Sequence, residues 1–158
     1  MAAIDGKSEM TTEVQIKKHR SHLPHLRLVV SCIAEKLGLS RKDIEETKSA
    51  VSEVCSESIN MASDCADENL SIKLSTHGTD MTVEITDMSP KARASAEGLT
   101  GDNVYSNVLE RICHLADDVE LVGEEAGATI RIRKCARQPA SSEAAGYVTV
   151  LGTATPQS

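Results

Sequence analysis

Two short runs of alternating apolar residues constrain the fold more than anything else in this chain. Leu70, Ile72 and Leu74 share one period of two, and Met81, Val83 and Ile85 share another. Between them lies His77-Gly78-Thr79-Asp80, a stretch suited to a hairpin turn. Successive strand residues point to opposite faces, so the pair presents one apolar face that something else must cover. The cover stands upstream. From Leu23 to Leu37 the apolar residues Leu26, Val29, Val30, Ile33 and Leu37 recur at helical spacing, and Gly38 follows as a stop. Ser40-Arg41-Lys42-Asp43 then resembles a capping box. It opens a second helix to about Ala62, with Ile44, Val51, Val54, Cys55 and Ser58 facing inward.

The remaining elements follow the same logic. Glu13 to Lys18 alternates around Val14 and Ile16 and reads as a first strand. Pro90, which cannot donate to a ladder, ends the second hairpin strand, and residues 90–103 read as a loop. A third helix spans about Val104 to Ala116 on a stripe of Val104, Val108, Leu109, Ile112 and Leu115. Strands at Val119–Val122 and Ala128–Arg133 close the series, with Gly123 to Gly127 as their turn. The order β-α-α-β-β-α-β-β implies an α+β fold, a two-layer sandwich with a mixed sheet covered by helices on one face. Residues 1–11 read as a flexible arm, 12–135 as the domain, and 136–158, rich in Ala, Ser, Gly, Pro and Thr, as a flexible tail. Within that tail Tyr147–Leu151 has the pattern of a short added strand or a docking peptide.

Composition narrows the function. With no Trp, no Phe and two Tyr in 158 residues, the core is aliphatic, and the aromatic faces that single-stranded nucleic acids stack on are missing. A formal charge of −7 also argues against a polyanionic partner, and Lys17-Lys18-His19-Arg20 is too small a basic spot to reverse that. Five cysteines without CxxC spacing read as reduced, mostly buried thiols of a cytoplasmic protein. No apolar run is long enough to span a membrane, and the start lacks the layout of a signal peptide. His19, His22 and His25 stand three apart, but Pro24 interrupts them and no further ligand completes a tetrahedral set. Asp117-Asp118 reads as a solvated pair at a strand entry.

Four stretches, in order, carry a resemblance. Ala50-Val51-Ser52-Glu53-Val54-Cys55-Ser56-Glu57-Ser58-Ile59-Asn60-Met61-Ala62 resembles the helix motif A-V-S-E-A-C-T-N-A-V-x-H-A of the anti-sigma-factor serine kinases, a branch of the GHKL (histidine-kinase-like) ATPase superfamily. Val83 to Asp87 resembles that family's strand ending in the Asp that reads adenine. Ile112 to Glu120 resembles I-R-x-L-M-D-E-V-E, and Ala126 to Arg131 resembles the final G-G-T-T-V-R strand. The likeness covers roughly residues 12–135.

The resemblance implies Glu53 as the catalytic base, Glu57 at the position of the family's Mg²⁺-holding Asn, and Asp87, Gly127 and Thr129 around the nucleotide. The departures cluster. D-x-G-x-G reads Asp87-Met88-Ser89-Pro90-Lys91, and the phosphate-binding G-x-G-L reads Ser106-Asn107-Val108-Leu109. Side chains at such glycine positions obstruct a close approach to ligand. The expectation is therefore a bacterial, cytoplasmic regulator of transcription whose ATP site is eroded. It acts by binding a sigma factor, a STAS-domain antagonist or both, as a homodimer, with neither nucleic acid nor membrane as partner. Two alternatives stay open: an ATP- and Mg²⁺-dependent protein serine kinase that phosphorylates such an antagonist, and a non-catalytic partner-switching scaffold.

Overall fold

The computed structural model describes residues 9–62, 68–97 and 104–136, with the side chain of Val104 outside the description. Five strands form one sheet in the order β1-β2-β3-β5-β4: β1 Met10–Lys17, β2 Asn69–His77, β3 Asp80–Asp87, β4 Asp118–Gly123 and β5 Ala128–Cys135. Every pairing is antiparallel. The mixed sheet expected from the element order is corrected here. β5 returns by a hairpin from β4 and inserts beside β3, so no two parallel strands become neighbours. β1 begins at Met10 and so takes in the last two residues of the expected arm. The tail stretch Tyr147–Leu151 lies outside the described residues, as does Cys65.

All helices lie on one face. α1 (Leu23–Leu37) ends at Gly38, whose φ of 95° is the left-handed conformation foreseen for a helix stop. α2 (Arg41–Asn60) starts where Ser40 accepts a hydrogen bond from the Asp43 amide at 3.0 Å. Its buried face is Asp43, Ile44, Thr47, Ala50, Val51, Val54, Cys55 and Ser58, one stripe at helical spacing. That stripe packs over β3 and β5, and α4 (Val104–Ile112) closes the layer beside it. The last turn of the expected third helix tightens into a 3-10 turn at Cys113–Leu115.

The segment read as a loop from residue 90 instead begins with a short helix, α3 (Pro90–Ala96). Ser89 accepts from the Ala92 amide at 3.1 Å and Pro90 fills the first helical position. The proline that stops β3 therefore also starts α3.

The core is aliphatic, as the composition requires, with one exception: Tyr105 on α4 is 2% exposed and among the largest fully buried side chains. The other sheet face is polar and uncovered by helices. Registered across all five strands it carries the row Glu13, Lys73, Glu84, Arg131, Glu120, in which charge alternates at each step. Arg131 bonds Glu84 and Glu120, each at 2.7 Å. At the far end of the domain Lys134, 3% exposed, joins β5 to α2 through Glu46 at 2.7 Å and Asp43 at 3.6 Å, and also donates to the Leu115 carbonyl at 2.8 Å.

The thiols are less buried than expected. Among the described cysteines only Cys55 is buried; Cys32 lies on the outer side of α1, Cys113 in the 3-10 turn, and Cys135 at the sheet end. Helical periodicity fixed the inward position of Cys55, whereas the other three occupy surface phases of their elements.

Candidate functional site

Asp87 closes β3 on the helix-covered face, after Met81, Val83 and Ile85, and is 1% exposed. A buried carboxylate must be paired. Lys18, just past β1, places Nζ 2.8 Å from Asp87 Oδ1 and 3.0 Å from Glu68 Oε1. The side chains of Lys18 and Asp87 are each 2% exposed. On the other oxygen, the Tyr105 hydroxyl donates to Asp87 Oδ2 over a long 3.4 Å and shares a 2.9 Å hydrogen bond with Ser58. The chain Lys18–Asp87–Tyr105–Ser58 thus ties β1, β3, α4 and α2 at one point. Burial, followed by the neighbouring Asp87 charge, pushes the Tyr105 hydroxyl well above its ordinary pKa of 10.0. One turn of α2 away from Ser58, burial alone pushes the Cys55 thiol from 9.0 up to about 12.

Glu53, about half-exposed, and Glu57, less so, stand one turn apart on α2 and share Arg111 as partner. Arg111 on α4 donates from Nε to Glu53 Oε1 at 3.1 Å and from a terminal nitrogen to Glu57 Oε2 at 3.1 Å. The fork geometry of guanidinium suits two acceptors at once. It also removes the like-charge repulsion that two carboxylates at this spacing otherwise suffer.

Gly127 and Thr129 lie at the β4–β5 hairpin. Gly127 crosses so close to Asp87 and Met88 that a Cβ there would meet main chain, 2.5 Å from the Met88 Cα. What crowds the glycine is the protein's own backbone. Thr129 is out of phase with Ile130 and Ile132, so it faces the uncovered side of the sheet, opposite to Asp87. There its hydroxyl meets Thr86 Oγ1 and Glu124 Oε2, both at 2.8 Å. The Arg93 guanidinium of α3 donates to the Glu125 carbonyl and straps α3 to the same hairpin.

The five residues singled out from sequence therefore fall into three places: Glu53 with Glu57 on α2, Asp87 with the passing backbone of Gly127, and Thr129 on the opposite face. Lys18, Tyr105 and Arg111 are the partners that sequence reading missed. Lys18 sits in a basic run whose members Lys17, His19 and Arg20 are all exposed, and nothing local distinguishes it. Tyr105 carried a signal that went unused: in a chain with no Trp or Phe, an aromatic on a helix is a strong candidate for the core.

The other candidates resolve into local structure. His19 accepts from the Ser21 amide and starts a 3-10 turn, with its ring edge-on to His22 at 6.4 Å. Asp117 accepts the Cys135 amide at 2.6 Å and so pins the end of β5. Among the described residues no helix is long and apolar enough to cross a membrane.

Comparison with known proteins agrees with the architecture. A family model described as "Histidine kinase-like ATPase domain" matches residues 16–134. No curated protein matches the chain. Among solved structures, the crystal structure of the RsbU and RsbW domains of a Mycobacterium tuberculosis protein is similar with a TM-score of 0.62 at 12% identity. The match covers 82% of this chain and 33% of that one, so this chain spans about a third of that neighbour. At that identity the likeness shows the fold.

Proposed function

The chain belongs to the histidine kinase-like ATPase domain family, and from that premise we propose that it is a regulatory module that works by binding other proteins and has given up ATP chemistry. Its partners are a sigma factor and a STAS-domain antagonist of the kind the α2 motif resembles, and it acts in the bacterial cytoplasm as a homodimer. The observation that carries this reading is Arg111. A general base must be free to take a proton, and a metal ligand must be free to meet the cation. Glu53 and Glu57 instead face one guanidinium. Asp87 supports the same reading, since its carboxylate is engaged within the chain, and so does Ser89, which spends its side chain on capping α3. These residues do not fit a bound Mg²⁺-ATP as they stand. Protein binding survives such losses because an interface rests on shape and buried apolar area.

One observation favours the kinase alternative. The Arg111 pairs are close to half-exposed on the Arg111 and Glu53 side, and such surface pairs are worth about 0–1 kcal/mol, so a nucleotide could displace them cheaply.

The two readings separate in one pair of experiments. Calorimetry with Mg²⁺-ATP is expected to show no binding. A dissociation constant of about 100 µM or tighter would stabilise the fold by about 1–2 kcal/mol at millimolar ATP and would overturn the proposal. Capture of sigma factors and STAS-domain proteins is expected without nucleotide. Phosphate transfer to a STAS-domain serine would establish the kinase instead, and capture of neither class would leave the scaffold.

A further inference from the structure

Burying an ammonium is costly unless its partners are close and complete. Lys18 meets that condition against Asp87 and Glu68, while its sequence neighbours remain in solvent. The carboxylate it meets is the one that the resemblance implies for reading adenine, a base whose exocyclic amine is its N–H donor. An ammonium and an exocyclic amine offer that carboxylate the same thing, an N–H donor at hydrogen-bond distance. We infer that Lys18 is a built-in occupant of the Asp87 site: its ammonium takes the acceptor a purine amine would use, and Tyr105 closes the second oxygen from the α4 side.

A cleft of about 370 Å³ nearby lies mainly on the other side of the sheet, walled by Gln15, Ser71 and Thr86 of the uncovered face, so the Lys18–Asp87 contact itself is covered by the helix layer. The inference rests on the proposed loss of ATP chemistry and on the resemblance for the identity of the base, and extends them by naming the residue that keeps the base out.

The test uses adenosine as probe, on the full chain and two variants, by thermal shift and calorimetry. The parent is expected to show no binding. Lys18→Ala is expected to bind adenosine at least about tenfold more tightly than the parent, and adding Asp87→Asn is expected to abolish the gain. Equal binding by parent and Lys18→Ala, or binding by neither while Lys18→Ala keeps its native circular dichroism, overturns the inference.

Lys18→Ala strips a buried carboxylate of its counter-ion, so a second measurement uses the unaltered protein. Amine-reactive labelling followed by peptide mass spectrometry is expected to modify exposed Lys17 and to spare Lys18. Labelling of both at similar rates overturns the inference whatever the variant does. The outcome is separable from that of the proposed function: a chain that captures its protein partner but leaves Lys18 reactive loses only the plug, and one that protects Lys18 but captures nothing loses only the role.

Discussion

Gly127 packs against the main chain of Asp87 so closely that a β-carbon on it would lie 2.8 Å from the Asp87 carbonyl carbon. Backbone on both sides leaves no flexible end to yield. Gly127→Ala is therefore expected to destabilise the domain by about 3 kcal/mol or more, the upper range for forced overpacking. Gly123→Ala, on the same hairpin with nothing within 4 Å of its added Cβ, is expected to stay within about 0.5 kcal/mol. Urea midpoints of the two variants measure the contrast; equal midpoints would refute it.

Ser89 stands where the family pattern has a glycine, and it caps α3. Ser89→Ala is expected to cost about 1 kcal/mol, because the Ala92 amide loses its acceptor, and Ser89→Gly only a few tenths. Chemical denaturation of both variants reads the order directly. An alanine as stable as the glycine would mean the cap contributes nothing.

How much of this was legible in the sequence depended on how local the cause was. Ser40 caps α2 through a residue three positions away, and Gly38 ends α1 by its own φ, so both could be read from a few letters. Pro90 carried two local meanings, strand stop and helix start, and only the first was taken; the preceding Ser89 was the clue to the second. The site was less legible because its contacts span the chain. Lys18 and Asp87 are 69 residues apart, and Arg111 is 58 from Glu53. Neither pairing leaves a periodic trace, and Lys18 is hidden by three cationic or ionisable neighbours that stay in solvent. The orientation of Thr129 was readable in principle, since it alternates with Ile130, yet motif likeness placed it near the nucleotide without asking which face it used.

Lys134 and Lys42 share Glu46 as a partner from opposite environments. Lys134 has 4% of its side chain exposed and Lys42 79%. Lys134→Met is expected to cost about 3–5 kcal/mol, because the buried Asp43 and the largely buried Glu46 lose the cation held inside with them, and Lys42 reaches Glu46 only from solvent. Lys42→Met is expected to cost no more than about 0.5 kcal/mol. Guanidinium melts of both variants test this, and a mild Lys134 phenotype would mean the carboxylates find other partners.

Stability is expected to fall in alkali. The folded Cys55 thiol keeps its proton to about pH 12, whereas the unfolded thiol releases it near its ordinary value of 9.0. The native state then binds more protons than the unfolded state above pH 9.0, so unfolding becomes easier as pH rises. The slope approaches about 1.4 kcal/mol per pH unit for one group. Tyr105, also raised by burial, adds in the same direction above 10.0, as does Cys135, raised by its hydrogen bond to Asp80. Cys55→Ala is expected to flatten the decline between pH 9 and 10 relative to the parent; an unchanged slope in denaturation at stepped pH would assign the effect elsewhere.

Tyr105, the one buried aromatic among the described residues, has a practical consequence. With no Trp and no Phe in the chain, ultraviolet emission comes from Tyr105 and Tyr147 alone. Tyr147→Phe leaves one emitter, and the fold has set that emitter against the Asp87 carboxylate. The protein thus carries its own optical gauge: whatever enters, leaves or loosens that contact changes the light from a single phenol, with no label to attach.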